Sequence, residues 1–346
     1  MGVAAVLTLV TWQIPREDVI SQYKMLSYVR SCPGTEVIHQ ALGPLGRIDV
    51  VAGRSIHYAP GLSLQYTGDI PPHVLMITDG DQTSAVYDCK QRDDWTFMDH
   101  TTAAAGYYLC DRPRVLILGA GGGVDIGLAT YHESREIVAL EMNPQVIKLM
   151  TGPLGGRGGG IYRAKGVSVL NREARGYLAS GGHDEGKFDI IQLPAIDAFG
   201  ASGAGLYATQ ESYLYTVESL ELMLRRLRKK GVLCITRWAR TPPRDGLRIF
   251  DTAAEALRKL HLDPSKHLGM IRSWATVTVL VSRSPFTARE VDALKRFCRQ
   301  RSFDLCYLPA LAESEANRYH VLDQPYYFRG ARALLGQHRD AYLDDY

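Results

Sequence analysis

A chain of 346 residues suits one large domain or two modest ones, and a hydrophobic fraction of 46% is that of a globular protein. Forty basic and 37 acidic residues leave a net charge of +3, a mixed surface that excludes an electrostatic case for nucleic-acid binding. The six cysteines (Cys32, Cys89, Cys110, Cys234, Cys298, Cys306) include no CxxC pair, so neither a zinc site nor a redox motif is expected, but free thiols in a reducing compartment.

The first stretch, MGVAAVLTLVTWQIPRED, has an apolar run of about 11 residues where a membrane span needs about 20. It lacks the early basic residue and cleavage site of a signal peptide. Its first reading is a buried strand of a cytoplasmic protein. Its second is the stub of a membrane segment, which places the protein on the cytoplasmic face of a membrane with a membrane module outside this chain. Residues 45–87, rich in β-branched and aromatic side chains and broken by AG, APG, PP and DGD, read as a small antiparallel β unit. Asp79 and Asp81 belong to the turn chemistry of DGD. Residues 93–109 read as a helix, with Ala103 to Ala105 favouring it and Asp93 or Asp94 as its cap.

From residue 114 strands and helices alternate. RVLILGA, EIVALEMN, GVSVLN and KFDIIQL read as strands, with helices after the first three. TVESLELMLRRLRKKGVLCITRW reads as an amphipathic helix, a stop at Gly231 and a strand; a further helix and the strand WATVTVLVSR follow. Such alternation predicts a parallel sheet with helices on both faces. After Pro285 the pattern is helical and polar, a candidate for a separate appendage. The expected division is 1–92, an N-terminal segment and small β domain; 93–284, a Rossmann-like nucleoside-binding domain; and 285–346, a helical extension.

The stretch RVLILGAGGGVDIGLATYHESREIVALEMNP carries the chemistry. Gly119, Gly121 and Gly123 follow a strand and open a helix, where glycine allows a tight turn and close approach to a ligand. Free N–H groups at the helix start suit polar or anionic atoms. Glu141 ends the next strand about 20 residues on, where a carboxylate accepts hydrogen bonds from two ribose hydroxyls. A dinucleotide fingerprint wants a third glycine where Val124 stands; the shorter GxGxG form suits an adenosyl group attached to methionine. Glu173, just past the third strand, is positioned to meet the amine of adenine; its alternative reading is a helix cap. No GxSxG, HExxH or P-loop lysine pattern occurs, and no metal site is expected.

Over residues 40 to 283 the sequence resembles the spermidine synthase family, the polyamine aminopropyltransferases. The β unit with its DG turn, RVLILGAGGG, ALEMNP, REARGYL, FDIIQLPAIDAF and LYATQESYLYTVESLELMLRRLRKKGVLCI carry the resemblance. It implies an α/β fold: a Rossmann-like domain of the class I methyltransferase type, a small N-terminal β domain and, here, a helical C-terminal tail. It implies a ligand between the two domains, usually in dimers or tetramers and here in a homodimer, with Glu141 on the ribose and Glu173 on the adenine.

The departures are specific. The family loop GGGDGG reads GAGGGV here, and its Asp, which holds the amine of decarboxylated S-adenosylmethionine, is Gly122. The strand end that carries a proton-accepting Asp in the family is Gln192, and an amide is no base. Asp197 stands in for the second Asp of that pattern at longer spacing. The S-P-Y-Q segment reads GPLG at 43–46, and the Tyr-His pair aligns with His100 and Thr101. Replacing the loop acid by Gly122 removes a charge that would repel the carboxylate of ordinary S-adenosylmethionine.

These residues leave three readings open. The first is a transferase binding S-adenosylmethionine or its decarboxylated form and transferring an aminopropyl group to an amine, in an altered site with Asp197, His100, Gln192 and Tyr207 as catalytic candidates and Tyr213 near its mouth. The cofactor candidates are Gly119, Gly121, Gly122, Gly123, Glu141 and Glu173. The second is methyl transfer from S-adenosylmethionine to another small nucleophile. The third is a non-catalytic nucleoside- or polyamine-sensing domain of a membrane-attached protein. Packing, capping and loop roles are the plain alternatives for His100, Asp197 and the two tyrosines.

Overall fold

The computed structural model describes residues 20–158, 160–180, 187–195, 213–337 and 339–345. The N-terminal apolar run, Asp197 and Tyr207 lie outside the described residues. After a short helix α1 (Met25–Ser31), four strands form an antiparallel sheet in chain order: β1 (Thr35–Gly43), β2 (Gly46–Gly53), β3 (His73–Thr78) and β4 (Gln82–Tyr87). β1 lies ahead of the segment expected to be β, because its half-buried alternation gives it no continuous apolar run. The turn from β3 to β4 has Asp79 at φ 50° and Gly80 at φ 77°. Asp79 Oδ1 accepts a hydrogen bond from Arg47 N at 2.9 Å, which ties the turn back to β2.

Residues 92–108 form two 3-10 stretches, Arg92–His100 and Thr102–Tyr108, rather than the one helix expected. They part at Thr101, whose extended backbone and Oγ1, bonded to Met98 O at 2.8 Å, compete with helical hydrogen bonding. The coil also lies very close to its neighbours. A Cβ on Gly106 would meet Cys234 Sγ at 2.4 Å, and one on Gly127 would meet the Trp95 ring at 2.2 Å.

The second sheet has eight strands in the order β12-β10-β11-β9-β8-β5-β6-β7. β5 (Arg114–Leu118), β6 (Glu136–Glu141), β7 (Val167–Asn171), β8 (Phe188–Leu193) and β9 (Leu227–Trp238) are parallel. Helices α2 (Val124–Tyr131), α3 (Pro144–Thr151), α4 (Ala174–Ala179) and α5 (Val217–Arg226) intervene. After α6 (Arg244–Lys259) and α7 (Pro264–His267), β11 (Thr276–Ser282) lies antiparallel between β9 and β10 (Leu268–Arg272). Counted within this sheet, strands three, two, one, four and five run together, and an antiparallel seventh separates the fifth from the sixth. This is the Rossmann-like, methyltransferase-type α/β fold that the sequence predicts.

Gly231 does not stop a helix. α5 ends at Arg226, and Gly231 sits inside β9 beside a bulge, where a Cβ would come within 3.0 Å of Phe188 O. The segment after Pro285 is no separate appendage. α8 (Ala288–Arg301) buries Leu294, Phe297 and Cys298, and β12 (Asp304–Tyr307) pairs with β10 before α9 (Tyr326–Leu335) and α10 (Arg339–Asp345). The buried Asp99 carboxylate joins α8 to the 3-10 segment by accepting from Arg301, from Tyr108 OH at 2.7 Å and from His132 at 2.9 Å. All six cysteines are free. Among the described residues no helix is long and apolar enough to cross a membrane.

Candidate functional site

β5 and β8 are neighbours whose following connections leave in opposite directions across the sheet, and the crevice at such a switch point is where open α/β sheets bind ligands. The glycine loop opens there. Gly119 N and Ala120 N donate to Leu140 O at 3.0 and 2.8 Å, fastening the loop to β6. Gly123, at φ 83°, is the N-cap of α2. Gly121 N donates to Glu141 Oε2 at 3.0 Å, and Asn143 N donates to Glu141 Oε1 at 2.8 Å. Glu141 is 9% exposed. Burial raises its pKa, and the amides of Asn143, Gly121 and Met142 pull it back. Of the roughly four acceptor positions on its two oxygens, these three amides leave one for a further donor.

The loop's other side is covered by the small sheet. Gly122 N donates to Ser84 Oγ on β4 at 2.7 Å, and a Cβ on Gly122 would stand 1.9 Å from Ala85 O. Tyr162 OH donates to Gly121 O at 2.6 Å. Gly122 therefore has a packing reason that the sequence did not disclose: any side chain there would push β4 away.

Gln192, at the end of β8, is fully buried and lies opposite Ile117 of β5, next to the loop. Its Nε2 donates to Ala103 O at 3.2 Å, while its Oε1 is buried without a partner. Glu173 caps α4, with its two oxygens accepting from Arg175 N at 2.7 Å and Gly176 N at 2.5 Å. His100 ends the first 3-10 stretch, its ring tilted against Tyr66 with centroids 4.8 Å apart, and its buried Nδ1 has no partner. Burial and the Arg301 guanidinium lower its pKa. Tyr213 is 56% exposed beneath the Arg175 guanidinium. Thus the loop glycines, Glu141 and Gln192 gather at the switch point. Glu173 stands at the end of the edge strand β7, and His100 belongs to the contacts beside Arg301.

One acid at this place belongs to no sequence motif. Asp125, in the first turn of α2, has its carboxyl pushed up to about 6 by burial, against a hydrogen bond from Gln192 and one from its own amide. The signal available was an acid in the otherwise apolar helix VDIGLATY, one turn past the glycines.

The sequence matches no protein-family profile and no curated protein. Among solved structures the chain is similar to a spermidine synthase in complex with the transition state analogue AdoDATO, with 16% identity and a TM-score of 0.49 over 80% of this chain and 85% of that one. It is similar to spermidine synthase from Thermotoga maritima, with 14% identity and a TM-score of 0.48 over 90% of this chain and 88% of that one. It is also similar to human methyltransferase-like protein 13 in complex with SAH, with 16% identity and a TM-score of 0.40 over 61% of this chain and 93% of that one. At these identities the likenesses say nothing of chemistry.

Proposed function

We propose that the chain is a transferase whose donor is an adenosyl sulfonium, S-adenosylmethionine or its decarboxylated form, and that from the decarboxylated form it moves an aminopropyl group to an amine. The observation that carries this reading is Glu141: a buried carboxylate at the end of β6, bonded to the glycine loop at the switch point and with acceptor capacity left for a ribose. Glu173 is assigned to the adenine on the resemblance, and the donor lies along the loop and the end of β6, on the side that β4 does not cover. The acceptor attacks a carbon next to the sulfonium. The C–S bond breaks, its electron pair stays on sulfur, and a neutral thioether leaves. The protein's work is to align the two reactants and exclude water.

Methyl transfer from S-adenosylmethionine is the second reading. It is favoured by Gln192, an amide at the strand end where the amine-activating acid stands in the family resembled. The test is incubation with each donor and a set of aliphatic amines, read by mass spectrometry. An added aminopropyl group supports the first reading and an added methyl group the second. No product from either donor contradicts both.

A further inference from the structure

Asp125 stands out as a half-buried ionisable group, set among buried side chains, that has no structural partner of opposite charge. Its carboxyl lies beneath the second 3-10 stretch, beside the end of β8. The groups that face it are Gln192 from β8, Tyr107 from the 3-10 stretch and Cys234 from β9, with Cys110 beyond them. None of these is a cation, and His132 is stacked on the Tyr107 ring with centroids 4.7 Å apart. A structural carboxylate against such buried neighbours is normally paired. Instead, two further polar atoms of the cluster are buried without hydrogen bonds: Gln192 Oε1 and Tyr107 OH. Buried groups left open in this way mark places where a ligand or water completes the set. An amide oxygen, a phenol oxygen and a carboxylate are all acceptors, and a nitrogen carrying protons is the atom that would satisfy them.

We propose that Asp125 is the proton acceptor of the transfer site, with Gln192 Oε1 and Tyr107 OH orienting the acceptor nitrogen toward it. The inference rests on the transferase reading above. The acceptor N–H proton passes to the Asp125 carboxylate as the new C–N bond forms, and the electron pair of the broken C–S bond remains on sulfur. The carboxyl changes charge close to pH 6, which suits proton exchange near neutrality. Helix α2 carries this group directly beyond the loop that would hold the donor, so donor and base are set by one rigid element.

The test compares wild type with Asp125→Asn and Tyr107→Phe, measuring donor affinity by calorimetry and single-turnover rate against pH. Asp125→Asn is expected to bind the donor within about twofold of wild type and to lose about 100-fold or more in rate. The rate of the wild type should rise through a limb near pH 6 that the variant lacks, a feature no packing role would move. Tyr107→Phe should slow the reaction and keep the limb. An Asp125→Asn variant that keeps both rate and limb overturns the proposal and leaves the donor site standing. Absence of donor binding in the wild type overturns the transferase reading itself, and this inference with it.

Discussion

At Gly122 one added carbon would stand 1.9 Å from a main-chain oxygen of β4, which cannot swing aside as a side chain can. Gly122→Ala should therefore destabilise the fold by about 1–3 kcal/mol, as overpacking does, measured by urea unfolding; unchanged stability would mean that β4 does not lie on the loop. Asp125 makes the opposite prediction. Its folded pKa of about 6 lies above the ordinary 3.8, so its contribution is fully present below the unfolded value and is lost as pH rises through 6. Keeping this half-buried carboxyl ionised then costs up to about 3 kcal/mol. Asp125→Asn should accordingly be more stable than wild type by roughly that amount at pH 8, with the gain fading by about pH 4. Equal stabilities at pH 8 would show the carboxyl to be solvated.

Between elements, the contact that fastens α8 to the 3-10 segment is the Asp99 carboxylate with Arg301, Tyr108 and His132 around it. Burial works against the Asp99 carboxylate, yet bonds from His132, Arg301 and Tyr108 keep its pKa below the usual range. Arg301 also lies over the rings of Phe297 and Tyr108, at 4.5 and 4.9 Å. Arg301→Ala should cost about 3–5 kcal/mol, because it leaves a buried carboxylate with only a histidine and a phenol. Asp99→Asn together with Arg301→Met should recover part of that loss. A thermal midpoint unchanged in Arg301→Ala would mean that α8 is held by apolar packing alone. Because the Asp99 pKa is lowered, its contribution is present above the unfolded value and is lost as pH falls through the folded one.

Across the whole molecule, the parallel sheet was legible because β5, β6 and β8 are near-continuous apolar runs, each bounded by turn residues and a helical repeat. β12 was not, because Asp304–Tyr307 is four residues long and its place is set by pairing with β10 far back in the chain. The 3-10 character of 92–108 was hidden for a related reason. Its composition favours a helix, and tight packing of Trp95 and Gly106 against other elements decides which helix. At the site, the glycines and Glu141 could be read from spacing alone. The role of β4 over Gly122 and the surroundings of Asp125 could not, since both depend on how the small sheet and the 3-10 coil close over the loop.

Calorimetric titration with S-adenosylmethionine and, separately, its decarboxylated form bears most directly on an adenosyl sulfonium site at Glu141. Wild type should bind one of the two saturably, and Glu141→Gln, which keeps an acceptor for the loop amide, should bind it about tenfold or more weakly. No binding of either compound, or equal affinity in Glu141→Gln, would contradict the assignment and leave the glycine loop as architecture alone.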